Sequence, residues 1–165
     1  MSHASWWGSK VRQFRAHVRA RVVPGERAGL ATWLGPAQLA LFDAMHVADR
    51  RHGLDVVATL RAEGVNETDV LVAGLLHDAG KDQTGVWSRV VYSLGQAYGS
   101  WIWRVAGIVP GVRRDLERLR DHAETSARLA ATAGCSARTV ELIRHQDDPR
   151  DAEYGELLRL ADEAN

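Results

Sequence analysis

Apolar positions recur at helical spacing along most of the chain, and no segment shows the two-residue alternation of a half-buried strand. Trp7, Val11, Phe14, Val18 and Val22 fall three or four residues apart, which predicts an amphipathic helix ended by Pro24 and Gly25. "LGPAQLALFDAMHVAD" predicts a second helix with Pro36 in its first turn, and "RRHGLDVVATLRAEG" a third that stops at Gly64. Asn66 is expected to cap a fourth, with Asp69 supporting its first turn; this helix runs through "VLVAGLL" and breaks near Gly80. Short helices are expected around "WSRVVYSLGQAYG" and "SWIWRVAG", then a long one across "LERLRDHAETSARLAATAG". Ser136 should cap the next, "ARTVELIRHQ", and "AEYGELLRLADEA" forms the last. The predicted class is all-α, with a basic helical extension over 1–35 and a compact helical bundle over 36–165.

The fourth segment raises a chemical question. Val70–Leu76 covers every side of its helix, so that helix should be buried all round. Yet it runs directly into His77, Asp78, Gly80, Lys81 and Asp82. A buried carboxylate without a partner costs several kcal/mol, so Asp78 needs a cation or donors. A metal ion shared with His77 meets that need, because imidazole supplies a neutral nitrogen and aspartate a charge. A salt-bridged helix end meets it as well, and the adjacent pair alone does not separate the two.

The other histidines change the weighting. His52 shares a face with Val56 and Thr59, and His122 with Ser126, Leu129 and Ala133. His145 borders Leu142, and Asp162 lies beside Leu158 at the edge of an apolar arc. Five helices thus direct metal-type ligands toward one interior. Asp49, one turn before His52, can support that ring, and Arg51 can face either substrate phosphate or solvent. His46 reads as a core or supporting residue. Asp82 can orient Lys81, bind water or simply be a solvated loop acid.

Composition narrows the class. The chain has 165 residues, 45% hydrophobic and 25% charged, as expected of one ordinary globular domain. The zero net charge implies no general or specific affinity for nucleic acid. Residues 1–23 carry Lys10, Arg12, Arg15, Arg19 and Arg21 with no acid, which invites a nucleic-acid or anionic-lipid reading, or contact with a partner. An apolar stripe generally needs burial, however, so packing against the domain is the preferred reading there. The single Cys135 excludes an internal disulfide and fits a reducing, cytoplasmic setting; in the small-residue turn "AGCSAR" it reads as a structural thiol. No signal peptide and no uncharged apolar run of about 18 residues is visible. The segment 86–109, with Trp87, Tyr92, Tyr98, Trp101 and Trp103, is open to capping the site, stacking on a base, plain packing, a homodimer contact or shallow lipid contact.

The order His52, His77-Asp78 and a distant Asp162, with "HDAGK", resembles the HD-domain superfamily of metal-dependent phosphohydrolases. "RHGLDVVATLRAEG…LVAGLLHDAGK" is similar to the first half of that family, including the 25-residue step from His52 to His77. "DHAETSARLAATAGCSARTVELIRHQ" resembles the subset that adds two histidines for a second metal, and the likeness spans residues 36–165. It implies that His52, His77, Asp78 and Asp162 hold a first divalent ion. It further implies that Asp78 bridges to a second ion bound by His122 and His145, and that Lys81 contacts phosphate, which makes Asp78 and Lys81 the catalytic pair. The histidine-rich set suits Fe, Mn, Ni or Zn better than Mg. Gln146 stands where the cyclic-dinucleotide branch often has a second histidine, and that branch's Gly-Tyr-Pro signature is absent, which disfavours cyclic di-GMP. The expected activity is hydrolysis of a phosphate ester or anhydride of a nucleotide or small phosphorylated metabolite. Two alternatives share the donor set: an HD-type di-iron oxygenase acting on a small organic substrate, and a non-catalytic metal- or nucleotide-binding regulatory module.

Overall fold

A computed structural model of the chain describes residues 21–81 and 122–165. Among them are seven α-helices and no strand: α1 (Pro24–Leu30), α2 (Pro36–Ala44), α3 (Val47–Ala62), α4 (Thr68–Leu76), α5 (His122–Thr132), α6 (Ala137–Arg144) and α7 (Gly155–Ala164). One 3₁₀ turn, Ala79–Lys81, follows α4. The stripe from Trp7 to Val18, its basic residues up to Arg19, the aromatic segment 86–109, Asp82 and the two helices expected between 87 and 107 lie outside the described residues, as do His3 and His17.

The fold is organised around α4. All seven residues from Val70 to Leu76 are buried, because α2, α3, α6 and α7 each pack against this helix. Two glycines set its distance from α3. A Cβ on Gly53 would lie 2.5 Å from the Leu75 carbonyl oxygen, and one on Gly74 would lie 2.9 Å from Leu60 Cδ1. The two backbones therefore touch directly at Gly53, which a larger residue would prevent.

Helix ends depart from the expected pattern in three places. Pro24 begins a helix rather than closing one: its fixed φ suits a first turn, and Glu26 accepts a hydrogen bond from the Val23 N–H at 2.9 Å. Leu30 and Leu34 behind it enter the core, and Arg27 and Glu26 pair with Asp43 and Arg51. The part of the expected 1–35 extension that begins at Pro24 thus shares the core of the bundle. Between α2 and α3 the break falls at Met45 and His46, four residues earlier than the pattern suggests, because the His46 ring caps α3 by accepting from the Ala48 N–H at 3.3 Å. Asp49 is consequently in the first turn of the same helix as His52. Finally, Asn66 does not cap α4. Its amide donates to the Gly64 carbonyl at 3.0 Å, tying the turn in which Gly64 adopts a φ of 86°, while Glu67 takes the cap position.

The second half follows the sequence pattern more closely. Gly134, with φ 76°, ends α5, and the Cys135 N–H returns to the Ala130 carbonyl at 3.0 Å. Burial pushes the Cys135 thiol above its ordinary pKa, which suits a packing residue rather than a nucleophile. Ser136 caps α6 by accepting from the Thr139 N–H, and the buried Thr139 hydroxyl donates to the Asp69 carbonyl at 3.0 Å, joining α6 to the start of α4. Among the described residues no helix is long and apolar enough to cross a membrane.

Candidate metal centre

The polar residues gather where α4 ends. His77 closes that helix and Asp78 follows in the turn; each is only 2% exposed. The close approach at Gly53 brings the neighbouring His52 ring to 5.2 Å from the His77 ring, centroid to centroid, in an edge arrangement. From α7, Asp162 places Oδ1 2.7 Å from His52 Nε2 and 3.2 Å from His77 Nε2. Ligand atoms of His52, His77 and Asp162 all lie within 4.8 Å of one another.

The hydrogen bonds decide which atoms face inward. His77 Nδ1 donates to the Gly74 carbonyl at 2.9 Å, one turn back in its own helix. That leaves Nε2 directed at two carboxylates, 3.4 Å from Asp78 Oδ1 and 3.2 Å from Asp162 Oδ1. Among the described residues, the buried His77 Nε2 and Asp78 Oδ1 have no hydrogen-bond partner, although the Lys81 ammonium lies 2.6 Å from Asp78 Oδ1 as an ion pair. Burial works against a charged His77, but the Asp78 and Asp162 charges outweigh it and raise the ring's pKa to about 9. The same neighbours work in reverse on the acids. Burial opposes ionisation of both, yet His77 holds each well below the usual carboxylate range, aided by Lys81 at Asp78 and by His52 at Asp162. Two anionic oxygens facing one ring nitrogen at these separations favour a cation there, either a proton on Nε2 or a metal ion, besides the Lys81 ammonium at Asp78.

Comparisons of the chain with models of known protein families, with curated proteins and with solved structures give no match.

The donor set itself fits a transition-metal ion. Two ligands each ~2.1 Å from one ion, at roughly tetrahedral or octahedral angles, sit about 3.0–3.4 Å apart. The observed separations of 2.7, 3.2 and 3.4 Å bracket that range. The Nδ1 hydrogen bond of His77 to backbone is the arrangement that fixes a ligating tautomer with Nε2 free. The C-terminal end of α4, where its carbonyls point, also favours positive charge.

Lys81 lies on the other side of Asp78. Its Nζ is 2.6 Å from both Oδ1 and Oδ2 of Asp78, and its side chain is 25% exposed. Burial favours the neutral amine, but Asp78, then Asp162 and Asp49, keep the ammonium above its ordinary pKa. Gly80 serves this geometry through its size. Its backbone does not adopt the left-handed conformation; instead a Cβ there would lie 2.6 Å from both the His122 carbonyl oxygen and the Ser126 nitrogen. The Gly80 N–H donates to Ser126 Oγ at 2.7 Å, which fastens the 3₁₀ turn to α5 and brings His122 Nε2 to 3.8 Å from Asp78 Oδ1.

The remaining candidates divide. His122 is buried and its Nε2 contacts the Gln146 amide nitrogen at 2.7 Å. His145 is not drawn into the cluster: its Nε2 lies 3.4 Å from Glu141 Oε2 one turn earlier on α6. Arg51 belongs to the α1 side, where its guanidinium forks between Glu26 at 2.7 Å and Asp55 at 2.8 Å rather than facing Asp78. Asp49 is buried and, with Met45, His46, Asp78, Thr125 and Leu129, lines a cleft of about 330 Å³ beside the centre. Leu129 is 38% exposed on that cleft, and the core positions of α5 are Ala127 and Ala130 instead. Gly53, Ser126 and Gln146 are the contributors that motif reading misses. Gln146 is visible in the sequence only as a departure from the family pattern, and the other two carry no ligand chemistry of their own.

Proposed function

We propose that the chain is a metal-dependent phosphohydrolase in which His52, His77, Asp78 and Asp162 hold a divalent transition-metal ion. The observation that carries this reading is His77 Nε2, buried and without a hydrogen-bond partner among the described residues, facing two carboxylate oxygens, Asp78 Oδ1 at 3.4 Å and Asp162 Oδ1 at 3.2 Å. An ion bound there would lower the pKa of a water on its open side and draw charge from a phosphoryl group. Asp162, with its side chain 40% exposed, lies on the solvent side of the centre, whereas His77 and Asp78 form its floor. Lys81 supplies a fixed positive charge beside Asp78, placed to meet phosphoryl oxygens as their charge grows. The cleft lined by Met45, His46, Asp49, Thr125 and Leu129 is of a size to take the organic part of a nucleotide or small phosphorylated metabolite. The resemblance of residues 36–165 to HD-domain phosphohydrolases supports the same reading.

The test is phosphate release from a panel of nucleotides and sugar phosphates by metal-free chain reconstituted with Mn²⁺, Fe²⁺, Ni²⁺ or Zn²⁺. Metal-dependent release is expected. Oxygen uptake with no phosphate release in the Fe²⁺ sample would instead favour the di-iron oxygenase.

Metal binding should also be linked to pH. The His77 ring is protonated below about 9, so an ion arriving at pH 7 must displace that proton. Calorimetry of Mn²⁺ binding at pH 7, in buffers of differing protonation enthalpy, is expected to show release of about one proton. The release should fade as pH rises past about 9, and apparent affinity should fall as pH is lowered. A buffer-independent heat at pH 7 would remove His77 from the ligand set.

A further inference from the structure

We infer that this centre holds one metal ion, because Lys81, Gln146 and Glu141 already engage the three groups that a second ion would use. This rests on the metal site proposed above and concerns its nuclearity. The resemblance implies a second ion bridged by Asp78 and completed by His122 and His145. Each of those groups has another partner.

Asp78 is covered first. Lys81 lies three residues on, in the 3₁₀ turn whose backbone N–H bonds the Asp78 carbonyl at 3.0 Å. This local geometry delivers Nζ to 2.6 Å from both carboxylate oxygens. A second divalent ion on that carboxylate would stand beside the Lys81 ammonium, and like charges that close in a partly buried site repel.

His122 is engaged next. Its Nε2 and the Gln146 side-chain nitrogen lie 2.7 Å apart, in a contact buried on both sides. An amide can be turned either way, and in both orientations it hydrogen-bonds this ring nitrogen: as a donor to the lone pair, or through its oxygen as an acceptor from N–H. Either way Nε2 is not offered to an ion. His145 completes the set, its Nε2 beside Glu141 Oε2 at 3.4 Å. No group of three ligand atoms forms around His122 among the described residues, whereas one does form around His77.

The contrast with the first position is chemical. At the first position His77 Nε2 is buried and without a hydrogen-bond partner among the described residues; at the second, Asp78 meets an ammonium, His122 is hydrogen-bonded to an amide, and His145 lies beside a carboxylate. Lys81 therefore supplies on that side the positive charge that a second ion would bring, and Gln146 fixes the His122 ring.

Metal content per chain, measured after loading with Mn²⁺ and dialysis, tests this together with the electron paramagnetic resonance spectrum of the bound Mn²⁺. One ion per chain with the spectrum of isolated Mn²⁺ is expected. Replacing the amide by a ligand, Gln146→His or the isosteric Gln146→Glu, combined with Lys81→Met, is expected to raise the content to two and to give an exchange-coupled spectrum. Two coupled ions in the unaltered chain would overturn the inference while leaving the metal site intact. One ion in the unaltered chain and in both double variants, with helical content unchanged, would overturn the roles given to Lys81 and Gln146. No bound ion in any of them would overturn the metal site itself and this inference with it.

Discussion

Asp78→Ala is expected to remove metal binding and phosphate release together. The substitution takes from the floor of the centre a carboxylate that is 2% exposed and whose Oδ1 faces His77 Nε2. Losing even a group that only orients a metal ligand weakens binding 10–100-fold, so losing a charged ligand should cost more. We expect at least ~1,000-fold in Mn²⁺ affinity, or ~4 kcal/mol, with hydrolysis falling in parallel. The fold should survive. Asp78 leaves Lys81 without its ion-pair partner, but that side chain is 25% exposed and can turn toward solvent. The cost in stability should therefore be about 1–3 kcal/mol, below the ~3–5 expected when a sealed pair is broken. Calorimetry with Mn²⁺, phosphate assays and far-ultraviolet circular dichroism on the same sample separate these effects. A folded Asp78→Ala chain with full metal occupancy would refute the site.

Gly53→Ala is the second large effect, and it acts from outside the ligand set. The new methyl would lie 2.5 Å from the Leu75 carbonyl oxygen, 3.1 Å from its carbonyl carbon and 3.3 Å from its Cα. All three are backbone atoms of a helix buried on every side, so no side chain can swing away. α3 and α4 must separate, and overpacking of this kind costs typically ~1–3 kcal/mol, occasionally more. We expect about 3 kcal/mol in urea unfolding. Because Gly53 is adjacent to His52, and His52 meets His77 across the same interface, the shift should also weaken Mn²⁺ binding. Gly29→Ala is the control: a Cβ there meets nothing within 4 Å among the described residues, so that variant should gain up to ~1 kcal/mol in helix propensity and bind metal normally. Equal stability of Gly53→Ala and the unaltered chain would show that the helices can part without penalty.

These two cases show where information about the protein resides. The burial of α4 is legible in sequence, because seven consecutive apolar residues leave a helix no polar side, whatever surrounds it. The approach of His52, His77 and Asp162 is legible as well, since each lies on or at the edge of a periodic apolar face. Ser136 as a cap and Pro36 as a first-turn residue depend on chain neighbours alone, so they too can be read in advance.

What failed locally did so because a competing partner lay close in sequence but was not implied by periodicity. Asn66 prefers the Gly64 carbonyl to the helix end, and the His46 ring takes a backbone N–H and so splits one expected helix boundary from another. Pro24 has two readings, stop or start, and the burial of Leu30 and Leu34 behind it chooses the second.

The sequence by itself determined the helical class, the buried helix and the donors that face inward, because these follow from composition and period along one chain. Only the tertiary structure decided which ring nitrogens are free. His77 Nε2 is left open by a bond within its own helix, whereas His122 Nε2 is taken by Gln146 and His145 lies against Glu141. Helical periodicity gives the direction of a side chain to within a face. Ligation depends on a few tenths of an ångström and on which neighbour arrives first, and those are set by how closely separate helices pack at Gly53 and Gly80.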